Sequence, residues 1–450
     1  MTMTNDDTPI SRRTIIKTTG AAGAAGLTGL AGCAGSGGGG SGDRTATETS
    51  DGSSNGGNAL EIVHWWTAGG EKEALNALLT GFKEAYPDVT VENNPAPGGA
   101  GSALDTVIKN RVLNENPPST FQIWPGKALY PYTDANLLKD ISSSVWGKND
   151  MKSAYLDGVK KAAKGGTDNF VSVPINIHRL NNLFFNKSVV KSANVDPDSI
   201  NDPNQLLDAL DTIAQETDAT PMAHQTKAPW STIQLWETVF IGAQGVGAFE
   251  DFIAGNVSDL ESEVKSSLER VKSYSEYFPS DAGSISWDQA NSAVVEGEAA
   301  FIHQGDWAAG QYKASSDFEY GTDWGNTSFP GTSGVYSLVM DSFVFPTNNP
   351  SPEATKKFLT YAGTKEAQRR FNQKKGSIPP RTDVSMDKFG PFLQAQSKDF
   401  ANSNEQPTTI THGTAVRPEI KSNISSAFSS FLESWDVDAT YDKLVSAFDV

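Results

Sequence analysis

Tryptophan side chains recur beside charged or amide side chains at points where short apolar runs of the sequence end. The candidate binding residues are Trp65, Trp66, Glu71, Gln122, Trp124, Asn176, His178, Trp287, Asp306, Trp307, Asp341, Lys375 and His412. Indole rings offer a large flat apolar area at little entropic cost. The polar groups exchange hydrogen bonds with hydroxyls, and bonds to charged groups contribute about 1.5–3 kcal/mol each. A neutral polyhydroxylated ring, apolar on its faces and polar at its rim, needs this combination, so the pattern indicates a site for such a ring.

Two of these residues, Glu71 and Asp341, could in principle supply the carboxyl groups of a glycoside hydrolase. A glycoside hydrolase needs two carboxyl groups on opposite sides of the scissile bond, roughly 5–10 Å apart. Nothing in the sequence marks a general acid, so we expect no catalytic residue and no enzymatic activity. The glycine-rich stretch 97–101 lacks both GK[ST] and the GxGxxG spacing, so nucleotide binding is not expected. We expect no cofactor and no metal.

The elements that must position these side chains follow an α/β pattern. The run from Leu60 to Trp66 predicts a strand that ends in two tryptophans. The helix after it has Leu75, Leu78, Leu79 and Phe82 on one face. Another strand begins near residue 89, which completes a βαβ unit. Strands and helices alternate through the rest of the chain, with polar and aromatic residues at strand ends. That is where ligands bind in open α/β sheets.

One stretch, residues 166–190, predicts how the chain is divided. Two short apolar runs flank a group of polar residues, which we call the polar knot: Asn176, His178, Arg179, Asn181 and Asn182. The knot is too polar for a core, so we expect the chain to cross there between two lobes, over a wet cleft. An ordinary strand and loop of an α/β enzyme is the alternative.

The bulk properties limit the class of protein. A chain of 450 residues exceeds a comfortable single core and predicts two lobes. The net charge of −18 argues against binding to nucleic acid or anionic lipid. Such an acidic surface is typical of very salty surroundings, where it maintains solubility. No apolar run reaches the roughly 20 residues of a membrane span. The single cysteine, Cys33, excludes an intrachain disulfide.

The first 58 residues predict export and anchoring. Residues 1–33 resemble a twin-arginine signal, with Arg12-Arg13 before a weakly apolar run that ends in Leu30-Ala31-Gly32-Cys33. That ending resembles a lipobox, which implies a lipid-modified Cys33 as the first mature residue. Residues 34–58 contain almost only Gly, Ser, Thr, Asp and similar residues, and predict a flexible tether. We therefore expect the folded body outside the cell, held to the membrane by the lipid alone.

From Leu60 nearly to its end, the chain resembles the substrate-binding proteins of carbohydrate ABC importers, extracellular solute-binding family 1. It is most similar to the glucose-, galactose- and mannose-binding members. The segments that carry the resemblance are Trp65-Trp66, Thr120–Gln122, Val173–Arg179, Leu235–Glu237, Glu298–Phe301, Gly305–Gly310, Asp341–Phe343, Lys375–Ile378 and His412-Gly413. The resemblance implies an α/β fold of two lobes, the type II periplasmic-binding-protein fold. It implies an N-lobe of residues 59–177 plus 341–380 and a C-lobe of 178–340 plus 381–450.

The resemblance also implies a function. By it, most of the candidate residues match sugar-contacting positions, and Asn176 and His178 lie near them. It implies a monomer that captures a small neutral sugar, most readily glucose or a related hexose. The protein would close over the sugar and deliver it to the permease subunits of an ABC importer. An oligosaccharide or a polyol remains the alternative ligand.

Overall fold

A computed structural model describes residues 58–96 and 101–450. The predicted signal with Cys33, and all of the predicted tether except Asn58, lie outside the described residues. The strands are β1 Ala59–His64, β2 Thr90–Pro95, β3 Thr120–Ile123, β4 Ser172–Pro174, β5 His178–Arg179, β6 Asn182–Asn186, β7 Thr220–Ala223, β8 Ala299–Gln304, β9 Trp324–Ser328, β10 Leu338–Val339 and β11 Ser342–Val344.

Helices separate most of these strands. They are α1 Gly69–Ala85, α2 Ser102–Leu113, α3 Tyr130–Asp134, α4 Met151–Ala154, α5 Asp157–Ala163, α6 Lys187–Ser192, α7 Pro203–Glu216, α8 Pro229–Ile253, α9 Glu261–Ser275, α10 Trp287–Val295, α11 Trp307–Ala314, α12 Pro352–Ala362, α13 Lys365–Lys375, α14 Pro391–Asn402, α15 Pro418–Ser434 and α16 Val437–Ser446.

The first sheet has the strand order β2-β1-β3-β11-β4. Strand β1 pairs in parallel with both β2 and β3, whereas β11 runs antiparallel to β3 and β4. The βαβ unit predicted at the start of the body is therefore present. The predicted apolar face of α1, with Leu75, Leu78 and Phe82, is buried in the core of this sheet. We call the first sheet and the helices packed in its core the first lobe.

The second sheet has the order β7-β8-β6-β9. Strand β6 is antiparallel to β8 and β9, and β7 is parallel to β8. Its two cores draw on residues 183–335 and 384–447. The core of the first sheet draws mainly on residues 60–177 and 336–378. We call the second sheet and its helices the second lobe; the residue-level lobe boundaries given above stay a prediction.

The two passages of the chain between the lobes lie side by side. Strand β5 pairs with β10 antiparallel, so that His178 is opposite Val339 and Arg179 is opposite Leu338. This two-stranded ribbon joins the first sheet, through β4 and β11, to the second sheet, through β6. The crossing predicted at the polar knot is thus where the chain passes from one sheet to the other.

The expectation that the polar knot is too polar to be buried is wrong. All five of its side chains are at most 3% exposed. They are buried because they bond to one another and to groups that lie far along the chain. Arg179, for example, bonds to Asn181, Ser328 and Asp399. Burial of polar groups is tolerated when their hydrogen bonds are satisfied.

Membrane-spanning helices and metal-binding clusters are both absent from the part of the chain that the structure describes. No helix within 58–96 and 101–450 combines the length and apolar character needed to cross a membrane. In the same ranges, no group of three or more His, Cys, Asp and Glu side chains is placed to hold a metal ion.

Candidate functional site

A cavity of about 210 Å³ lies between the two lobes, beside the crossing ribbon. Nine of the predicted site residues line it: Trp65, Glu71, Trp124, His178, Trp287, Trp307, Asp341, Lys375 and His412. Both lobes contribute, because Trp65 directly follows β1 and Glu71 lies in α1, whereas Trp287 and Trp307 begin helices of the second lobe. A ligand in this cavity would therefore contact both lobes.

Alternation along the crossing strands directs side chains into the cavity. Successive residues of an extended chain point to opposite sides. His178 and Asp341 line the cavity, whereas their neighbours Ile177 and Met340 line a separate groove. The two passages between the lobes thus place one histidine and one carboxylate at the bottom of the cavity.

Aromatic rings form most of the cavity wall. The ring centroids of Trp65 and Trp124 are 4.9 Å apart, with their planes tilted by 56°. The ring of His412 lies edge-on to Trp124, at 5.1 Å, and 5.8 Å from the ring of Trp307. Trp307 also contacts His178 edge-on, at 5.2 Å. These faces offer flat apolar surface to a ring-shaped ligand.

Asp341 is held ionised at the bottom of the cavity. Its carboxylate accepts hydrogen bonds from Gln122 Nε2 at 3.0 Å and Asn176 Nδ2 at 2.7 Å. Burial alone would raise its pKa, but the contact with His178 and the nearby Lys375 ammonium outweigh burial and lower the pKa to about 2. The group is therefore a fixed negative acceptor at neutral pH.

His178 connects this carboxylate to the second lobe. Its Nδ1 is hydrogen-bonded to the Asp306 carboxylate, and its Nε2 lies 3.5 Å from Asp341 Oδ2. Burial would lower the pKa of His178, but the Asp306 carboxylate opposes this effect and the pKa is raised. The ring thus bridges two buried carboxylates, one from each side of the crossing.

Lys375 and Glu71 form a buried ion pair on another side of the cavity. The ammonium lies 2.6 Å from Glu71 Oε1, and the lysine side chain is 2% exposed. Burial raises the pKa of Glu71, although Lys375 acts in the opposite direction. The same ammonium lies over the Trp307 ring, 5.9 Å from its centroid. This pair offers a ligand both a donor and an acceptor.

Four predicted site residues do not reach the cavity wall. Gln122, Asn176 and Asp306 lie behind it, where they bond to Asp341 or His178. Trp66 lies in the core of the first lobe, 1% exposed, against Phe371. Three of these residues orient the cavity groups, and the fourth packs in the core. Trp66 directly follows Trp65 beyond the end of β1, but only Trp65 lines the cavity.

A loop of the second lobe carries His412. Glu237 of α8, 1% exposed, accepts a hydrogen bond from the Ile410 amide at 2.8 Å and so fixes this loop. Burial raises the pKa of Glu237 to about 8 and holds the pKa of His412 well below its usual value. Thr409 Oγ1 lies 3.1 Å from His412 Nδ1. His412 is therefore a neutral ring in the cavity wall.

The cavity is also lined by six residues that were not predicted from the sequence. They are Thr67, Ala68, Trp230, Ser286, Asp288 and Val339. Thr67 and Ala68 form the turn after Trp65-Trp66, so adjacency was a usable signal for them. Ser286 and Asp288 flank Trp287, and Ser286 with Gln289 forms a capping box that is readable in the sequence. Trp230, one residue after Pro229 at the start of α8, has no such signal.

Comparison with known proteins identifies relatives over most of the chain. The family model described as bacterial extracellular solute-binding protein matches residues 77–400, and the model of the twin-arginine translocation signal matches residues 9–29. The xylose/arabinose-binding protein XacG of Haloferax volcanii is 39% identical over 401 residues, 88% of this chain and 86% of that protein. A Pyrococcus horikoshii protein described as an uncharacterized ABC transporter extracellular-binding protein is 36% identical, over 86% of this chain and 87% of its own.

Solved structures share the fold. The bacterial solute receptor AcbH, described as having an exclusive preference for β-D-galactopyranose, superposes with a TM-score of 0.74 at 17% identity. The superposition covers 87% of this chain and 98% of that one. At this identity the likeness concerns the fold alone. It confirms the predicted α/β architecture of two lobes, of type II.

Proposed function

This chain belongs to the family of bacterial extracellular solute-binding proteins, and from that premise we propose that it captures a neutral monosaccharide for an ABC importer. Glucose or a related hexose is the first candidate ligand. The protein closes over the sugar, releases it unchanged to the membrane permease, and acts as a monomer. The lobes that close are residues 59–177 plus 341–380 and residues 178–340 plus 381–450.

One observation carries the proposal: the tryptophan walls and the buried charges meet in the same cavity. Trp65, Trp124 and Trp307 offer flat apolar surface, and Asp341 and Lys375 offer an acceptor and a donor at its edge. A sugar ring has apolar C–H faces and hydroxyls around its rim, so one ring can contact both kinds of group at once. This arrangement suits capture, because both lobes share the ligand and binding then favours the closed form.

The size of the cavity favours a single sugar ring. About 210 Å³ is less than the roughly 300–1,000 Å³ of pockets that hold drug-sized ligands. An oligosaccharide needs a longer groove. Because XacG is named as a xylose/arabinose-binding protein, a pentose is the nearest competitor to a hexose.

A panel of ligands tests the function. Thermal unfolding with glucose, galactose, mannose, xylose, arabinose, a maltodextrin and sorbitol should show the largest stabilisation with a hexose. A hexose has about 12 heavy atoms, and an intermediate ligand efficiency near −0.7 kcal/mol per atom gives about −8 kcal/mol. Calorimetry should therefore give a Kd on the order of 1 μM for the preferred hexose.

The same ligand panel can also contradict the proposed function. Binding of the maltodextrin or sorbitol without any hexose would replace the monosaccharide proposal, and preference for xylose would replace the hexose. Purified protein should leave chromogenic glycosides intact. Turnover of one of them would make the protein a hydrolase, with Glu71 and Asp341 as the carboxyl pair to examine.

We further propose that a lipid on Cys33 anchors the protein at the outer face of the cell membrane, with residues 34–58 as tether. The matched twin-arginine signal supports export. Cys33→Ala should move the protein from the membrane fraction to the medium, or leave it as uncleaved precursor, in fractionated cells. Cys33→Ala that stays with the membrane at its mature size would contradict the anchor, and Ser36→Ala, within the tether, is the matched control.

A further inference from the structure

Three glycines lie where two helices of the first lobe meet one helix of the second. Gly70 is in the first turn of α1, Gly376 follows the last residue of α13, and Gly310 is in the middle of α11. Apolar residues of α1 and α13 belong to the core of the first lobe, whereas those of α11 belong to a core of the second. The contact, which we call the glycine seam, therefore joins the lobes.

The seam has no room for a β-carbon. A Cβ built on Gly70 would lie 2.8 Å from Gly310 Cα and 2.7 Å from the Lys374 carbonyl oxygen. One built on Gly310 would lie 2.9 Å from the same oxygen and 3.0 Å from that of Lys375. Real Cβ atoms essentially never approach within 3.0 Å of such neighbours, and here the neighbours are backbone, which cannot rotate away.

The presence of glycine at position 310, inside a helix, requires a separate explanation. Glycine is disfavoured relative to alanine in the interior of a helix, because it loses more backbone freedom on folding. Its φ is not in the left-handed region, so the backbone conformation does not require glycine. Glycine is required at position 310 because α1 and the end of α13 approach the backbone of α11 closely there.

The cavity residues are next to the seam. Glu71 follows Gly70, Lys375 precedes Gly376, and Trp307 lies one turn before Gly310. The Lys375 ammonium reaches Glu71 within its own lobe and the Trp307 ring in the other lobe. How closely the helices approach therefore sets the position of these three groups relative to one another.

We propose that Gly70 and Gly310 are positioning residues of the binding cavity: lacking Cβ atoms, they let α1 and α11 approach until their backbones touch. That approach brings Glu71 and Lys375 against Trp307 when the lobes close. The inference rests on the proposed function, since it gives the glycines a role in closing the cavity over a sugar.

Alanine at either glycine tests the role. Gly310→Ala and Gly70→Ala should bind the preferred sugar about tenfold more weakly, because the apparent Kd rises as the closed form becomes rarer. Unliganded Gly310→Ala should unfold at a temperature no lower than the parent, since both backbone neighbours of the added methyl belong to the other lobe and are absent when the lobes are apart. Gly70→Ala should unfold at a lower temperature, because its methyl also meets the Lys374 carbonyl oxygen within the first lobe. Gly247→Ala in α8 is the matched control: its Cβ would have nothing within 4 Å, so its affinity should equal that of the parent.

A crosslink tests the approach of the lobes without any sugar. A Cβ on Gly69 would lie 3.6 Å from Gln311 Cβ, within the roughly 3.5–4.5 Å that a disulfide spans. The full chain with Cys33→Ser, Gly69→Cys and Gln311→Cys should therefore form a disulfide on mild oxidation. Added Gly310→Ala should slow this reaction about tenfold, in proportion to the closed population, and added Gly247→Ala should not. The strain of a cysteine at Gly69, where φ is +51°, is common to every chain compared.

The outcomes separate this inference from the proposed function. The role of the seam is overturned if the chain with Gly69→Cys and Gln311→Cys does not crosslink. It is also overturned if added Gly310→Ala leaves both the crosslinking rate and the sugar affinity unchanged. Failure of both alanine variants to fold overturns it too, because the seam would then belong to the fold and not to closure. If no sugar of the panel binds the parent while Gly310→Ala still slows the crosslink, the proposed function fails and the role of the glycines stands.

Discussion

Asp341→Ala should weaken binding of the preferred sugar by about 2–4 kcal/mol, roughly 30- to 1,000-fold, because a carboxylate that can accept two hydroxyl protons is lost. The pKa of about 2 means that this carboxylate is charged at any pH near neutrality. Hydrogen bonds to charged groups are the stronger ones. Calorimetry with the preferred sugar measures the loss directly.

The variant should also lose some stability. Gln122 and Asn176 donate to Asp341, and its removal leaves these buried amides without that partner. We expect the free energy of unfolding to fall by about 1–3 kcal/mol. Asp157→Ala is the control: that side chain is 98% exposed, so the affinity should not change, and loss of its pair with Lys160 should lower stability by about 1 kcal/mol or less. If Asp341→Ala binds as tightly as the parent, or does not fold at all, the residue belongs to the structure and not to the ligand site.

Lys375→Met should have the largest effect on stability. It leaves Glu71 buried without its counter-charge, and breaking a buried pair in this way costs about 3–5 kcal/mol. Without the ammonium, the raised pKa of Glu71 should rise further. An acid whose pKa is higher in the folded state loses stability as the pH rises from its unfolded value towards its folded one. The loss measured by urea unfolding should therefore be greater at pH 8 than at pH 5.

Two comparisons make this prediction specific. Glu71→Gln added to Lys375→Met should restore part of the lost stability, because no uncompensated charge then remains. Lys365→Met lies on the same helix, but its side chain is 61% exposed and its pair with Asp383 should contribute about 1 kcal/mol or less. Equal losses for the two lysine variants, or a loss independent of pH, would show that the pair with Glu71 does not carry the effect.

Local patterns predicted the local elements of this fold. The spacing of Leu75, Leu78 and Phe82 predicted α1 and its buried face, because the period of a helix is written into neighbouring residues. The position of β11 could not be predicted in this way. Strand pairing depends on residues far apart in sequence, and nothing near Phe343 indicates that this strand lies between β3 and β4.

Residue type was enough to predict which kinds of side chain form the site. The direction in which each side chain points could not be predicted from the sequence. Trp65 and Trp66 are chemically equivalent in the sequence, but only Trp65 lines the cavity, whereas Trp66 packs in the core of the first lobe. The polar knot was expected to lie outside the core because its residues are polar. The partners that allow its burial are distant in sequence: Arg179 bonds to Asp399, 220 residues away. Trp230 was missed for the same reason, since its place in the wall depends on how α8 packs against the loop of His412.

The position of β11 in the first sheet determines when this sheet can fold during synthesis. This strand separates β3 from β4, and its partners on either side were synthesised more than 160 residues earlier. The first sheet therefore cannot be completed during synthesis until the whole second sheet has left the ribosome. Pairings across such separations form slowly, and until they form the edges of β3 and β4 are unpaired. A twin-arginine route, which carries proteins already folded, gives the chain time to complete this sheet inside the cell before it is exported.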